Sequence, residues 1–370
     1  MICIVSTDRV GGPGKNILEF LEREASLGVR THIATFVRRG ETTNDFISAL
    51  RERGRPVTLL REAFRFDPRP IREVARLFHR TGAHIIQSHG PKANTICFAL
   101  RMLGIPFKWI AFFHGRTYQN MKIRAYNALD NVLFRFPDHV VAVTRAIVPE
   151  FRRFGIPPSR ISVIPNAVDP AAYVSRADPR EVRRSIGVSD SDKLVGVFGR
   201  LSPEKGQREF VQAMGRVVSR RADVKAILAG EGPLEEELMA AIRQNKLEDH
   251  VKLLGHRADV PELLSALDAL ALPSWSEAMP NAILEAMASG TPIVSTTVGE
   301  VPYMVMHGRS ALLVPPRNPE ALADAVLEML SDPKMARAFA RRARRDAARY
   351  HPDVRAKKIA DLYRRLLRDT

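Results

Sequence analysis

Two positive charges follow a short apolar segment in the second half of the chain. Leu194–Phe198 has the length and composition of a buried strand. Two glycines and two cations come directly after it, namely Gly199, Arg200, Lys205 and Gly206. Arg200 offers a planar guanidinium that binds an anion through paired hydrogen bonds, and Lys205 offers a point charge. The pattern predicts a diphosphate site, with two solvated surface cations as the alternative.

Two carboxylates follow another strand-like segment, Ala269–Leu272. Glu277 falls in a loop, and Pro280 suits the first turn of a helix, which puts Glu285 more than one turn inside that helix. An ionised carboxylate accepts hydrogen bonds from two hydroxyls at once, so each glutamate suits a pair of sugar hydroxyls. The spacing of the two glutamates would also arise by chance in a chain of this size.

A glycine-rich turn follows the first strand-like segment, Met1–Val5. The run Gly11-Gly12-Pro13-Gly14-Lys15-Asn16 precedes a helical pattern, and free N–H groups at a helix N-terminus attract phosphate. It is not a Walker A loop, because Arg9 stands at the first glycine and Asn16 replaces the magnesium-binding Ser or Thr. A simple tight turn remains an equal alternative.

Strand-length apolar segments alternate with helical patterns along the whole chain. They are Met1–Val5, Thr31–Phe36, His84–Gln87, Phe107–Phe113, Val140–Thr144, Leu194–Phe198, Val224–Ala229, Val251–Leu254, Ala269–Leu272, Pro292–Ser295 and Ala311–Val314. Two such series predict two Rossmann-like α/β domains, each with a parallel sheet. Ligands of such sheets bind beyond the carboxyl ends of the strands, where the three loops lie.

The boundary between the two series falls in Ile161–Asp169 and the loose segment that follows. We expect an N-terminal domain over 1–166, a C-terminal domain over 167–345, and a tail over 346–370. With 370 residues, 45% of them apolar and 26% charged, the chain is long enough for two ordinary domains.

Composition excludes several classes of protein. Cys3 and Cys97 are the two cysteines, which rules out a disulfide scaffold and a paired-thiol zinc or redox site. No apolar run approaches the roughly 18 residues of a membrane span, and the first residues do not resemble a signal peptide. We therefore expect a cytoplasmic protein.

The formal charge of +16 calls for an acidic partner, either nucleic acid, an anionic membrane or a phosphorylated ligand. Residues 1–170 carry a net charge of +12, residues 171–333 carry −5, and residues 334–370 carry +9. This distribution favours one specialised basic face over a protein that binds nucleic acid across its whole surface. Aromatic residues make up 7% of the chain and no nucleic-acid-binding motif is present, so a nucleic-acid-binding protein is the disfavoured alternative.

A basic amphipathic helix is predicted within the first basic segment. Its arginines recur at helical spacing, at Arg69, Arg72, Arg76 and Arg80. Such a helix suits anionic lipid headgroups. The alternative is an ordinary solvated face over a core stripe.

Four ordered motifs resemble those of the retaining glycosyltransferases of family four, which have the GT-B fold of two Rossmann-like domains facing across a cleft. They are IPNAVD at 164–169, GRLSPEKG at 199–206, LAGEGP at 228–233 and EAMPNAILEAMASGTPIV at 277–294. Weaker similarity is seen in GGPGKN at 11–16, IIQSHGPKAN at 85–94 and FFHGR at 112–116. The family includes bacterial lipopolysaccharide and exopolysaccharide transferases. In this fold the C-terminal helix usually crosses back to the N-terminal domain, so the resemblance implies that the tail over 346–370 returns to the first domain and that both basic ends of the chain belong to it.

The resemblance implies a role for each motif residue. Arg200 and Lys205 would hold the donor diphosphate, beside Gly199. Glu285 would bind the ribose hydroxyls and Glu277 the donor sugar.

Further contacts to the donor are implied at the loops of both domains. Backbone N–H groups at Met279 and Asn281 would assist at the helix N-terminus. In the first domain, Gly11 and Gly12 would let the loop approach the donor. His114 would contact the donor sugar, and His89, which lies at a similar strand end, is the weaker candidate.

The chain departs from the family pattern at two places. Ala278-Met279-Pro280 stands where many members have Gly-Phe-Gly, and Pro280 removes one amide donor. Ala167 stands where the hinge motif usually has glycine. The charged residues of the nucleotide site are unaffected.

The implied activity is transfer of a hexose from a nucleoside-diphosphate sugar, UDP before GDP, with retention of configuration. The acceptor would be a glycan or lipid-linked precursor of bacterial cell-envelope polysaccharide or lipopolysaccharide, at the inner membrane surface. Arg200 and Lys205 would stabilise the leaving diphosphate, so neither a metal nor a cofactor is expected. A front-side reaction is preferred over Glu277 acting as a nucleophile. A sugar-nucleotide epimerase or a glycan phosphorylase of the same architecture is the alternative enzyme class.

Overall fold

The computed structural model describes residues 1–8, 10–37, 40–64, 67–115 and 128–368. The chain divides into two compact units. Unit 1 comprises residues 1–166 and 352–370, and unit 2 comprises residues 167–351. Each unit contains a parallel sheet with helices on both faces, which confirms the predicted pair of Rossmann-like domains.

The described part of unit 1 contains a seven-stranded sheet. Its strands are β1 (Ile2–Val5), β2 (His32–Val37), β3 (Val57–Arg61), β4 (Ile85–His89), β5 (Lys108–Phe113), β6 (His139–Ala142) and β7 (Ile161–Val163). Its helices include α1 (Gly12–Leu21), α2 (Asp45–Glu52), α3 (Arg69–Thr81), α4 (Pro91–Met102), α5 (Val148–Arg153) and the C-terminal helix, α14 (Pro352–Arg368).

The strand order in unit 1 is β3-β2-β1-β4-β5-β6-β7, and all pairs are parallel. Val5, His89 and Phe112 are register partners across β1, β4 and β5. The carboxyl ends of these three strands therefore lie side by side, and the loops that follow them share one edge of the sheet.

Successive residues of β4 point to opposite faces of the sheet. Ile86 packs in a core with α3 and α4, whereas Ile85 packs in a core with α1 and α14. Ile359 and Leu362 of α14 are 2% and 4% exposed, and burying each such side chain contributes about 1.5–3 kcal/mol. Helix α14 is thus an integral layer of unit 1.

The sheet of unit 2 has six strands within the described residues, in the order β10-β9-β8-β11-β12-β13. They are β8 (Lys193–Phe198), β9 (Val224–Ala229), β10 (Val251–Gly255), β11 (Ala269–Leu272), β12 (Ile293–Thr296) and β13 (Leu312–Val314). The helices are α6 (Pro179–Ser185), α7 (Gln207–Arg220), α8 (Glu235–Gln244), α9 (Val260–Ala266), α10 (Asn281–Ser289), α11 (Val301–Met304), α12 (Pro319–Ser331) and α13 (Pro333–Ala347). Strands β9, β8 and β11 are neighbours, which brings three of the motif loops to one edge.

Two strands of unit 1 were not predicted. Strands β3 and β7 form the two ends of the sheet, and both are largely half-buried. Strand β3 contains Thr58 and ends in Arg61, and β7 has three residues, so neither has the continuous apolar run that marks a buried strand. The first residues of the predicted boundary segment, Ile161–Asp169, thus form a strand of unit 1.

The predicted start of the tail at residue 346 is wrong by six residues, because 346–351 remain in unit 2. Helix α13 extends to Ala347, and the Arg349 guanidinium then donates to the Met304 carbonyl at 2.8 Å. The Val168 amide donates to the Tyr350 carbonyl at 2.9 Å. These bonds hold the segment in unit 2 until Pro352 begins α14.

The expectation that both basic ends of the chain belong to one domain is also wrong in part. Seven of the thirteen basic residues over 334–370 lie in unit 2, because α13 packs there. The unit totals are nevertheless unequal, with 32 basic and 16 acidic residues in unit 1 against 25 and 25 in unit 2. Unit 1 thus carries the whole formal charge of +16.

No helix in the described part of the chain combines the length and apolar character needed to cross a membrane.

Candidate functional site

The loop that carries the two predicted cations is held against the loop after β11. Gly206 has a φ of +69°, and a Cβ added there would lie 2.1 Å from the Pro273 carbonyl oxygen. Only glycine therefore fits this approach of one backbone to another. The approach brings Lys205, at the end of a short 3₁₀ turn, to the segment that contains Glu277.

Lys205 and Glu277 form an ion pair in unit 2. The Lys205 Nζ donates to both carboxylate oxygens of Glu277, at 2.7 and 2.9 Å, and the Ser274 hydroxyl donates to Oε1 at 2.8 Å. The Glu277 side chain is 7% exposed and the Lys205 side chain 27%. The ion pair thus holds a partly accessible ammonium group at the sheet edge. An ammonium that is already oriented can stabilise negative charge that develops on a ligand.

Arg200 is the second residue after β8, in the same loop as Lys205. Its side chain is exposed, and its backbone carbonyl accepts a hydrogen bond from the Gln207 amide at 2.8 Å. The LAGEGP loop packs on this turn, because a Cβ on Gly230 would lie 1.9 Å from the Gly199 carbonyl oxygen. The backbone is therefore held on two sides while the guanidinium remains at the surface.

Glu285 lies on α10, which begins at Asn281. The Tyr173 hydroxyl donates to Glu285 Oε1 at 2.8 Å, so one carboxylate oxygen is oriented by the protein itself. Tyr173 is 8% exposed and belongs to a short 3₁₀ segment after β7. Sequence reasoning missed it, because a tyrosine in a segment without periodicity gives no signal of its partner.

The start of α10 differs slightly from the sequence prediction. Pro280 has extended backbone angles and precedes the helix, rather than forming part of its first turn. The Met279 side chain is 5% exposed and Asn281 is half-buried. The two residues that the family resemblance assigns to backbone contacts therefore flank the N-terminus of α10.

In unit 1, the structure brings together the two histidines that the sequence ranked separately. His89 ends β4 and His114 follows β5, the neighbouring strand. His89 Nδ1 and His114 Nε2 are hydrogen-bonded at 2.7 Å. Burial lowers the pKa of His89 well below its ordinary value and lowers the pKa of His114 to about 3, so both rings are neutral at pH 7.

The glycine-rich turn of unit 1 forms the N-terminus of α1, with Gly11 before the helix and Gly12 as its first residue. The Asn16 amide donates to the Gly12 carbonyl at 3.0 Å and to Asn166 Oδ1 at 3.1 Å. This bond ties the turn to the IPNAVD motif within the same unit. Arg9 beside this turn and Arg116 of the FFHGR motif lie outside the described residues.

Over the described ranges, no group of three or more His, Cys, Asp or Glu side chains is arranged to hold a metal ion. The features common to the two units are parallel sheets whose carboxyl edges carry glycine-rich turns and fixed polar side chains. That combination defines an α/β protein with two Rossmann-like domains, a class whose ligands bind beyond the carboxyl ends of the strands.

Comparison with known families narrows this class. Residues 10–172 match the model described as glycosyltransferase family 4, and residues 192–332 match the model described as glycosyl transferases group 1. The chain belongs to the family-four glycosyltransferases, as its motifs predicted. It is therefore a glycosyltransferase.

Curated relatives cover different shares of the chain. The chain is 27% identical to N-acetyl-α-D-glucosaminyl L-malate synthase of Bacillus anthracis, over 80% of this chain and 77% of that protein. It is 31% identical to the lipopolysaccharide core mannosyltransferase LpsB of Rhizobium meliloti, over 56% of this chain and 61% of that protein.

Solved structures agree on the fold. The structure of HepE from Anabaena in complex with UDP superposes with a TM-score of 0.84 at 24% identity, covering 98% of this chain and 99% of that one. The predicted GT-B fold is confirmed.

Proposed function

We propose that this protein transfers a hexose from a UDP-sugar, with retention of configuration and without a metal ion. The acceptor is a glycan or lipid-linked precursor of cell-envelope polysaccharide or lipopolysaccharide. The observation that carries the proposal is the Lys205–Glu277 ion pair at the edge of the unit 2 sheet, with Arg200 on the loop after β8 and Glu285 on helix α10. The UDP complex of HepE and the activity of LpsB in lipopolysaccharide core synthesis support the choice of donor and acceptor.

The chemistry follows from the charges. Departure of the nucleoside diphosphate builds negative charge on the β-phosphate, and Arg200 and Lys205 stabilise it without a metal or cofactor. Glu285 binds the ribose hydroxyls, with one oxygen already oriented by Tyr173. Glu277 orients donor-sugar hydroxyls, assisted by backbone N–H groups at Met279 and Asn281 and by the turn at Gly199.

Retention is assigned to a front-side reaction, in which the leaving phosphate takes the acceptor proton. Both oxygens of Glu277 already accept hydrogen bonds, three in all from Lys205 and Ser274. Lone pairs engaged in hydrogen bonds are less available for attack on carbon, which argues against a covalent intermediate on this residue. In unit 1, His114 contacts the donor sugar as a neutral group, and Gly11 and Gly12 leave room for the donor.

A peripheral position on the cytoplasmic face of an anionic membrane completes the proposal. Arg72, Arg76 and Arg80 are exposed on α3, while Val74 and Leu77 are buried beneath them. Arg69 is engaged elsewhere, because its Nε donates to Asp67 Oδ2 at 2.8 Å and holds the pKa of that carboxyl below its usual range. Three arginines, rather than the four that the sequence suggested, are therefore assigned to lipid headgroups.

The test is a transfer assay with labelled UDP- and GDP-hexoses, supplied with a lipid-linked glycan fraction or with small hydroxylated acceptors. We expect acceptor-dependent release of UDP and a product with the anomeric configuration of the donor, read by NMR. Conversion of the sugar nucleotide without release of diphosphate identifies an epimerase. A requirement for inorganic phosphate identifies a phosphorylase, and either result overturns the proposal.

A further inference from the structure

A hydrogen-bond chain of buried polar side chains connects the C-terminal helix of unit 1, α14, to His114. The Tyr363 hydroxyl of α14 donates to Gln87 Oε1, and the Gln87 amide donates to His89 Nε2. His89 Nδ1 and His114 Nε2 complete the chain at 2.7 Å. Gln87 and His89 are 6% and 4% exposed, and Tyr363 is 4% exposed.

The pleat of β4 explains why these side chains meet. Gln87 and His89 are two residues apart on the strand, so both point to the face that α14 covers. Tyr363 packs on that face with Ile359 and Leu362. Strand β4 and helix α14 are therefore both required to form the hydrogen-bond chain.

The hydrogen-bonding partners fix the direction of donation. A glutamine amide group has two N–H donors and its oxygen accepts. Here the Gln87 oxygen accepts from Tyr363, and the nitrogen faces both His89 Nε2 and, at 3.8 Å, the Cys3 sulfur. Burial raises the pKa of Tyr363 well above its ordinary value, so the hydroxyl keeps its proton to donate.

The tautomers of both histidines follow from this direction. Because His89 Nε2 accepts from Gln87, the single proton of the neutral His89 ring lies on Nδ1. That proton is donated to His114 Nε2, which leaves the proton of the neutral His114 ring on Nδ1. His114 then presents an N–H group, not a lone pair, at its second nitrogen.

We propose that Tyr363, Gln87 and His89 are positioning residues that hold His114 as its Nδ1–H tautomer, so that it acts on the donor as a neutral hydrogen-bond donor to a sugar oxygen and not as a base. This inference rests on the proposed contact of His114 with the donor sugar. Helix α14 would thus contribute to the reaction through Tyr363, although it lies far from His114 in the sequence.

The first test reads the tautomer directly by NMR, using long-range ¹H–¹⁵N correlation of the intact protein labelled with ¹⁵N in its ten histidines. His114→Gln and His89→Gln variants assign the two rings. We expect the Nδ1–H pattern for His114 in the parent protein. An Nε2–H pattern overturns the proposal.

Two variants then interrupt the hydrogen-bond chain without changing His114 itself. Gln87→Met keeps the length of the side chain but removes its donors, and Tyr363→Phe removes one hydroxyl. Both should shift His114 toward a mixture of tautomers, with the larger shift in Gln87→Met. Tyr350→Phe is the matched control, because that buried tyrosine belongs to unit 2. An unchanged His114 spectrum in both unit 1 variants overturns the proposal.

Turnover separates this inference from the proposed function. Gln87→Met should lower kcat by about 10- to 100-fold, the scale of a misplaced donor, while the Kd for UDP stays within twofold of the parent value. Equal losses in kcat and UDP affinity would indicate general damage and contradict a positioning role. Full activity of His114→Ala would instead refute the proposed sugar contact, whatever tautomer the spectra show.

Discussion

The carboxyl edges of the two sheets use different chemistry on the same topology. In unit 2 the edge is charged, with Lys205 paired to Glu277 and with Arg200 exposed on the same loop as Lys205. In unit 1 the edge holds neutral rings, because the buried surroundings of His89 and His114 disfavour their protonated forms. A parallel sheet thus fixes where functional side chains lie, while local burial decides whether they carry charge.

The net charge of the two units shows the opposite pattern, because unit 1 is strongly basic and unit 2 is neutral overall. Unit 2 balances 25 basic against 25 acidic residues, so the cations at its edge are a local feature. Unit 1 has twice as many basic as acidic residues, 32 against 16, and its exposed helix α3 carries some of them. The proposed diphosphate would therefore bind to local cations of unit 2, whereas the proposed anionic membrane would bind to the basic surface of unit 1.

The largest expected effect is at the charged edge of unit 2. Arg200→Ala or Lys205→Ala should lower turnover by about 10²- to 10³-fold, since each removes an oriented donor to a developing anion. The matched control is Arg208→Ala on α7, whose arginine pairs with Glu237 in an exposed position. Activity within threefold of the parent in both site variants would remove the diphosphate assignment.

The next effect concerns the basic surface of unit 1. Reversing Arg72, Arg76 and Arg80 to Glu should reduce co-flotation with anionic vesicles by roughly 10²-fold or more, at about 1 kcal/mol per lost cation. Nucleotide binding should be unchanged, because the three arginines lie in unit 1.

The control for this reversal changes net charge equally in unit 2. Arg341, Arg344 and Arg345 are exposed on α13, and their replacement by Glu should leave flotation intact. Equal flotation of the α3 variant and the parent, or binding by neither at low salt, would make α3 an ordinary solvated helix.

A smaller effect follows from the neutral histidines of unit 1. Burial lowers the pKa values of His89, His114 and His139, the last to about 4, so the unfolded chain binds more protons than the folded one below pH 6.5. Glu19 opposes one of them, because burial raises its pKa to about 7 and the folded state gains a proton there. The free energy of unfolding of unit 1 should therefore fall by about 3 kcal/mol between pH 6.5 and 5.

Tryptophan fluorescence can follow this change in unit 1 alone. Trp109 lies in unit 1 and Trp275 in unit 2, so a Trp275→Phe variant leaves one reporter. Urea unfolding of that variant should show a lower midpoint at pH 5 than at pH 6.5. An equal or higher midpoint would mean that the buried histidines do not stay neutral.

The smallest effect is expected at Tyr173. Tyr173→Phe removes the hydrogen bond to Glu285 without changing the shape of the residue, and it should weaken UDP binding by about 3- to 10-fold. Tyr303→Phe, at an exposed tyrosine of the same unit, serves as the control. Equal affinity of Tyr173→Phe and the parent would show that Glu285 needs no help from this hydroxyl.

The sequence predicted the elements better than the side-chain partners. Central strands such as β8 and β9 are long apolar runs, so their ends, and therefore the positions of Arg200 and Lys205, could be read directly. Strands β3 and β7 were missed because Thr58 and Arg61 interrupt the apolar pattern of β3 and because β7 has three residues. The segment over 346–351 was misassigned because helix-length patterns do not say which unit a helix packs on.

Partners that lie far apart in the chain could not be predicted. Lys205 and Glu277 were each assigned to a site, but their pairing depends on the close approach at Gly206. Gln87 and Tyr363 gave no functional signal, since a polar residue within a strand and a tyrosine on an amphipathic helix both suit an ordinary core. Their relation to His114 exists only in the packed unit.

Calorimetric titration tests the central claim most directly, that unit 2 holds a nucleoside diphosphate with its own cations. Uridine, UMP and UDP would be titrated into the intact protein in the presence of EDTA, and into Lys205→Ala under the same conditions. The account predicts that affinity rises with each phosphate in the parent, and that Lys205→Ala loses most of the gain from UMP to UDP. Equal affinity for all three ligands, or binding of UDP only after magnesium is added, would contradict it.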